Sequence, residues 1–381
     1  MIRPGQALLL IVTGLLVLGI VAVHSAGLSV GGERGASLPG LLIDRTTLLG
    51  AMALLAMIVG LHTPIDRIQP PRGQWIPAAA LLCAVVLLIL VQIPGIGREV
   101  HGARRWIDIG PVGFQPSEVA KWSLVLFLAW QIVARSERLG EFRKGFLPGA
   151  TIILLIGMLI GIEDLGTAVV IVIVGMAMLI AGGCRLSHAL MPIPVASAAI
   201  VAALFASPYR LDRLRAFMDP YADPEGIGYH VLQSMSAISG GGLAGRGLGN
   251  GVQKFGYLPE DTTDFLFSVI CEELGIVGCL LVVVLYSGLL LVGTRILLNT
   301  SRPFYRLLCF GILLMIAVQA LVNLAVVTGL APTKGIALPL LSSGGTGWLL
   351  MGFFIGLLAA VDRLSGSTQS TPRMQGHPIT T

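Results

Sequence analysis

Charge is scarce in this chain. Lys, Arg, Asp and Glu make up 12% of its 381 residues, while 55% are apolar. A soluble globular domain carries about 25% charge. So little polar surface cannot clothe a chain in water, which excludes an ordinary soluble domain and makes lipid the expected solvent. Cysteine is scarce too. Cys83, Cys184, Cys271, Cys279 and Cys309 show no CxxC spacing and fall mostly within apolar runs, so neither a disulfide framework nor a zinc site is indicated. The alternating segments of a membrane β-barrel are missing, because the apolar stretches here are continuous. No internal repeat supports an inverted-repeat transporter. No block of Lys and Arg or aromatic platform marks a nucleic-acid surface, and the net charge of +5 has another origin, given below.

What is present is a series of apolar runs. A helix needs about 20 mostly apolar residues to cross the hydrocarbon core. Ten stretches qualify: 7–24, 46–62, 75–93, 117–134, 147–162, 165–182, 187–206, 265–294, 304–329 and 345–361. The expected fold is therefore an all-α polytopic membrane protein of about ten transmembrane helices. The first run reads as a retained helix, since no small-x-small cleavage site follows it. With the N-terminus inside, thirteen Lys and Arg fall at the inner loops and six at the short outer loops. The positive-inside rule then places both termini in the cytoplasm, and this bias accounts for the net charge. Residues 1–364 form one membrane domain. It carries an outer loop at 94–116 and a large extracytoplasmic loop at 207–264, between helices seven and eight. Long loops without clear secondary structure are usually functional or disordered; the latter holds aromatics, acids, arginines and a dense glycine run and is read as folded. Residues 365–381, rich in Ser, Thr, Gln and Pro, read as a disordered cytoplasmic tail.

The unusual residues are the charged ones near membrane runs. Asp264, after Glu260 and Asp261, stands where the chain enters the eighth run. Two readings stand: a first-turn acid stabilised by the helix dipole, or a carboxylate poised as general base. Glu272 and Glu273 lie further along the same run, as functional groups lining the same cavity or as partners of a neighbouring helix. Arg104, Arg105 and Trp106 precede Pro116, Glu118 and Lys121, with proline suited to a first helical turn. Glu118 and Lys121 are three apart and share a face. They form an intramembrane ion pair, or part of an outer cavity with phosphate-binding cations at its lip. Glu163 and Asp164 occupy a very short outer turn, solvated or holding a divalent cation.

The glycine run from Gly240 to Gly251 offers a GxGxxG spacing without a preceding strand, so a dinucleotide site is rejected. Close backbone approach explains those glycines better. Lys334 in Pro332-Thr333-Lys334-Gly335 meets a phosphate or solvent. Gln319 and Asn323, four apart in the ninth run, read as interhelical glue.

These motifs, in this order, resemble the SEDS membrane proteins, the FtsW/RodA/SpoVE family of bacterial cell-wall polymerases. The carriers are GARRWIDIGPVGFQPSEVAK, EDLGT, the QS…GGLAGRGLGNG run, LPEDTTDFLFSVICEELG and PTKGIALPLLSSGG, covering the chain from about run three to run ten. Gly249 to Lys254 and Pro332 to Gly335 resemble the division-type branch. The resemblance implies a peptidoglycan glycosyltransferase of the bacterial cytoplasmic membrane that polymerises lipid II at the division septum. The acceptor 4-hydroxyl attacks the anomeric carbon, a β-1,4 bond forms and undecaprenyl pyrophosphate leaves. It implies a class B penicillin-binding protein and other division proteins as partners. It assigns the essential aspartate to Asp264, the cavity pair to Glu118 and Lys121, and the arginine before tryptophan to Arg105. Arg104 and Lys334 join these as candidate substrate-binding cations. A divalent cation, Mg or Mn, has Glu118, Asp164 and Glu272 as candidate ligands. The chain departs from the family where Thr263 replaces a usual histidine, where Ile162-Glu163-Asp164 replaces Gln-Pro-Asp, and where Ser343 replaces a tyrosine. The alternatives to an enzyme are a lipid II flippase and a silent scaffold for the transpeptidase.

Overall fold

The computed structural model describes residues 2–27, 44–71, 73, 75–100, 103–109, 112–205, 208–252, 262–343 and 345–369. Glu260, Asp261 and the tail beyond 369 lie outside them. The helices are α1 (Pro4–Gly27), α2 (Arg45–His62), α3 (Trp75–Leu90), α4 (Pro116–Ala134), α5 (Leu147–Gly161), α6 (Leu165–Ala181), α7 (Leu186–Leu190) and α8 (Ile193–Phe205). After them come α9 (Pro208–Met218), α10 (Tyr229–Gly240), α11 (Leu266–Asn299), α12 (Pro303–Val327) and α13 (Thr346–Gln369). Among the described residues eight helical segments, one of them α7 with α8, are long and apolar enough to cross a membrane, and α3 and α6 are shorter apolar helices. These ten coincide with the ten apolar runs. The last helix continues to Gln369, beyond the boundary at 364 read from composition.

Local signals set the helix ends. Asp44 caps α2 by accepting from Thr46 N, and Asp164 caps α6 by accepting from Thr167 N. Pro116 and Pro303 open α4 and α12, where a missing N–H costs nothing. Between helices in lipid there is little hydrophobic drive, so close backbone packing supplies the attraction. Gly352 and Gly356 on α13 do this against α2: a Cβ on either would collide with the carbonyl of Ala53 or of Met57. The opposite case is α8. It buries no residue, and Val195 and Phe205 are each 73% exposed, as suits a helix whose neighbour is lipid.

Two features differ from the sequence reading. First, the loop at 94–116 holds a three-stranded antiparallel sheet: β1 (Gly97–Val100), β2 (Ala103–Ile109) and β3 (Val112–Phe114), in the order β1-β2-β3. The helical bundle therefore carries one small sheet. Strands this short leave too few residues for an alternating pattern to register.

Second, the run at 265–294 is not one continuous span. Gly275 adopts φ 63° and ψ −153° and breaks α11. The stretch Ile276–Asn299 alone rises about 36 Å at 1.5 Å per residue, enough to cross the hydrocarbon. Residues 266–274 thus form a separate short helix ahead of the span, and Glu272 and Glu273 belong to it. Beside this short helix runs α10. His230 stacks on Phe265 (6.1 Å between centroids, 10°), and Ser234 Oγ bonds Ser268 Oγ (2.7 Å) and Val327 O (2.6 Å).

The connections meet on one face of the bundle. Arg104 N donates to Glu163 Oε2 (2.8 Å), Arg210 Nη2 to Ile162 O (2.8 Å), Arg213 Nη1 to Thr333 O (3.2 Å) and Ser343 N to Thr262 O (3.0 Å). The sheet, the α5–α6 turn, the 207–264 connection and the 329–345 segment are thereby tied together.

Candidate functional site

Beneath these ties lies a cavity of about 710 Å³, walled by α4, β2, the α5–α6 turn, α8, α9, Thr263–Asp264 and residues 332–343. That size suits a small-molecule or cofactor site. Asp264 lines it just before the short helix that opens α11. Its backbone is held by Asn323 of α12, whose Nδ2 donates to Asp264 O (2.8 Å) and to Ile336 O (2.7 Å). Asn323 is 2% exposed and joins the aspartate's segment to the 332–343 wall, so the glue read from the sequence binds loops rather than helices. A Cβ on Gly335 would stand 3.0 Å from Asp264 Oδ2 and 3.7 Å from Arg105 Nη1. The carboxylate and the guanidinium flank the same glycine.

Arg105 reaches the cavity from β2. Its Nε and Nη2 donate to Glu163 O (3.0 and 2.6 Å), which fixes the fork and leaves Nη1 toward Gly335. Neighbouring strand residues point to opposite faces. Arg104 is accordingly turned away: it pairs with Glu99 (3.3 Å) and reaches Gln92 O, and does not line the main cavity. The expectation that both arginines enter one site is corrected by the pleat of a sheet.

Glu118 and Lys121 line the cavity floor, one helical turn apart on α4. Lys121 Nζ lies 2.6 Å from Glu118 Oε1 and 2.9 Å from Gln319 Oε1, and the lysine is 3% exposed. Glu118 Oε2 is buried and has no hydrogen-bond partner among the described residues. Gln319 Nε2 donates to Ala337 O (3.0 Å), so the pair is also coupled to the 332–343 wall. Asp164 lines the cavity too, but both its oxygens serve Thr167, accepting from the backbone N (3.1 Å) and Oγ1 (2.8 Å).

Lys334 completes the wall. Burial lowers its pKa from the ordinary lysine value; the Asp164 charge works in the other direction, and Arg213 and Arg210 lower it further. Those two arginines were missed in the sequence. They line the cavity from α9, in the connection at 207–264. The available signal was their spacing, since Arg210 and Arg213 stand three apart and share a helix face.

Glu272 is corrected as a cavity ligand. It does not line this cavity, is 1% exposed, and pairs with Arg246 (3.4 Å) at the far end of the short helix. Among the described residues no group of three or more His, Cys, Asp or Glu could hold a metal ion.

The family profile FTSW_RODA_SPOVE, described as "Cell cycle protein", matches residues 6–366. The chain belongs to this family. It is 40% identical, over 92% of its length and 91% of theirs, to the probable peptidoglycan glycosyltransferase FtsW of Trichlorobacter lovleyi. It is 35% identical to the stage V sporulation protein E of Bacillus subtilis, covering 95% of this chain and 98% of that one. Among solved structures, a chain of a peptidoglycan synthase complex that coordinates polymerization and crosslinking superposes with a TM-score of 0.74 at 28% identity, over 93% of this chain and 96% of that one. The rod shape determining protein RodA of Thermus thermophilus superposes with a TM-score of 0.61 at 26% identity, over 93% and 95%. Within the FtsW/RodA/SpoVE family the chain is of the FtsW branch, and it is a multi-pass membrane protein.

The three departures from the family's usual residues can now be placed. Thr263 lines the cavity beside Asp264. Glu163 uses its carbonyl on Arg105 and its carboxylate on Arg104 N. Ser343 gives its backbone N–H to Thr262 O, so that contact needs no particular side chain.

Proposed function

We propose that this cavity carries out inverting glycosyl transfer, with Asp264 as general base. The chain is a peptidoglycan glycosyltransferase of cell division. The observation that carries the site assignment is Asp264 in a cavity where the cations Arg105, Lys121, Arg210, Arg213 and Lys334 also line the wall, together with the carboxylates of Glu118, Glu163 and Asp164.

Lipid II polymerisation needs that combination. The acceptor sugar's 4-hydroxyl oxygen attacks the anomeric carbon of the lipid-linked donor, while Asp264 takes the hydroxyl proton. The carbon–oxygen bond to pyrophosphate breaks, and its electron pair leaves with undecaprenyl pyrophosphate. Attack opposite the leaving group turns an α-linked donor into a β-1,4 product. Negative charge grows on the pyrophosphate, where fixed cations act most strongly in a site shielded from water. Arg105 is prearranged for this by Glu163 O, and Lys334 supplies a compact point charge.

A divalent cation, Mg or Mn, would find one protein ligand at Glu118 Oε2, unpartnered among the described residues. Such ions are commonly held by one or two carboxylates with substrate phosphates completing the shell. The ion would add positive charge at the leaving group. Asp164 has both oxygens engaged and Glu272 lies elsewhere, so neither fits that role.

Both termini are assigned to the cytoplasm by the Lys and Arg bias, which puts the cavity face outside, at the septal membrane. A class B penicillin-binding protein is the proposed partner. The supporting observation is the likeness to a chain from a synthase complex coupling polymerization with crosslinking.

Asp264→Asn in purified protein, assayed on lipid II with and without the transpeptidase, tests the reading. Loss of polymer in a folded protein is expected. Polymer at the wild-type rate overturns Asp264 as base. Transport without polymer would favour a flippase, and transpeptidase stimulation surviving Asp264→Asn would favour a scaffold.

A further inference from the structure

Two buried acids remain without a part in the cavity chemistry. Glu272 is 1% exposed and Glu273 2%. A buried carboxylate is costly and persists where specific partners hold it. Among the described residues, partners of these two acids lie in the segment 246–252 and at the end of α1.

The break at Gly275 removes backbone partners from the turn around it, and the glycine segment replaces them. Arg246 N donates to Glu272 O (3.0 Å), Gly247 N to Glu273 O (2.9 Å), and Ile276 N to Gly242 O (3.0 Å). The fit is backbone on backbone: a Cβ on Gly275 would stand 2.7 Å from Leu243 O. The side chains then fasten the splice. Glu272 Oε1 accepts from Val252 N (2.8 Å). Glu273 Oε2 accepts from Ser25 Oγ (2.6 Å), and Ser25 Oγ accepts from Gly249 N (2.9 Å).

These bonds fasten the far end of the short helix that starts two residues after Asp264. Their anchor, Ser25, is on α1, which does not line the cavity.

We propose that Ser25, Glu272 and Glu273 are positioning residues for Asp264: a latch that ties the far end of the short helix following the aspartate to α1 and so fixes the carboxylate at its start against the bound sugar. The inference rests on the reading of Asp264 as general base. It assigns the two glutamates to orientation rather than to proton transfer or metal binding. A misplacement of about 1 Å at a reacting group costs about a hundredfold in rate, so a modest loosening of the latch acts on turnover before it acts on substrate binding.

The test uses the full-length protein in detergent with lipid II. Ser25→Ala, Glu273→Gln and their combination are compared with wild type and with Ser25→Thr. The expected result is a fall in kcat of about ten- to a hundredfold, KM for lipid II unchanged within about twofold, and melting temperatures close to wild type. Because both residues act in one latch, the double variant should be no slower than the slower single one. Ser25→Thr, which restores the hydroxyl, should recover turnover. Wild-type kcat in Ser25→Ala, or a loss confined to melting temperature, overturns the proposal. Should Glu273→Gln fail to fold, Ser25→Ala, which removes one hydroxyl, decides alone. Normal latch variants beside an inactive Asp264→Asn would sink only this inference, whereas an active Asp264→Asn would sink the base assignment itself.

Discussion

Lys121 and Gln319 are joined by a buried hydrogen bond: the Lys121 ammonium donates to Gln319 Oε1 at 2.9 Å while it pairs with Glu118 Oε1 at 2.6 Å. One buried cation thereby links α4 to α12, and through Gln319 Nε2 to the 332–343 wall.

That double engagement makes Lys121 a stability residue as well as a cavity residue. Lys121→Ala would strand Glu118 and leave Gln319 Oε1 unpaired. Breaking a buried pair by removing one partner costs about 3–5 kcal/mol. Thermal unfolding in detergent should show a large drop in melting temperature. Replacing both partners, as Lys121→Met with Glu118→Gln, should recover much of it. Wild-type melting of Lys121→Ala would refute the structural role.

Gly335 separates Asp264 from Arg105, and the gap holds no spare methyl. In Gly335→Ala the new carbon would meet Asp264 Oδ2 at 3.0 Å. The carboxylate must shift, and turnover should fall about tenfold or more by misorientation. Gel analysis of the glycan product, beside an unchanged melting curve, checks this.

Arg213 faces the cavity with one guanidinium nitrogen on Thr333 O. Arg213→Ala should raise KM for lipid II about tenfold, corresponding to about 1.4 kcal/mol. As a charge effect at the cavity rim, the difference from wild type should shrink in high salt.

Lys334 gives a pH signature. Burial lowers its pKa, so it loses its charge at a lower pH than an ordinary lysine. In the window between its lowered value and the ordinary one, the unfolded chain binds more protons than the folded one, so this residue's contribution to stability rises with pH there. Activity moves oppositely, because the ammonium is lost. Lys334→Arg, which stays charged, should retain kcat/KM to higher pH than wild type. Coincident alkaline limbs would show that Lys334 does not act through its charge.

Much of the site was legible because its residues sit in local motifs beside membrane runs. Asp264, Arg105, Lys334 and the Glu118–Lys121 pair come from separate segments, and the fold brings all of them to one cavity. The rest depended on geometry that the pattern does not encode. Whether Arg104 or Arg105 faces inward is decided by strand alternation, and the sheet was itself invisible. Arg210 and Arg213 were passed over because positive-inside counting discounts long loops. Glu272 was misplaced because an apolar run containing Gly275 reads as continuous, glycine being common in membrane helices.

The small sheet has a consequence for depth. Its outer strands β1 and β3 each pair on one side only, within β1-β2-β3. Open edges cannot face hydrocarbon, where no water meets their free N–H and C=O groups. The sheet is thus a built-in waterline. Because Arg105 hangs from its middle strand, the polyprenyl phosphates would meet the protein at headgroup level, and a substrate could present its sugars without lifting its tail out of the oil.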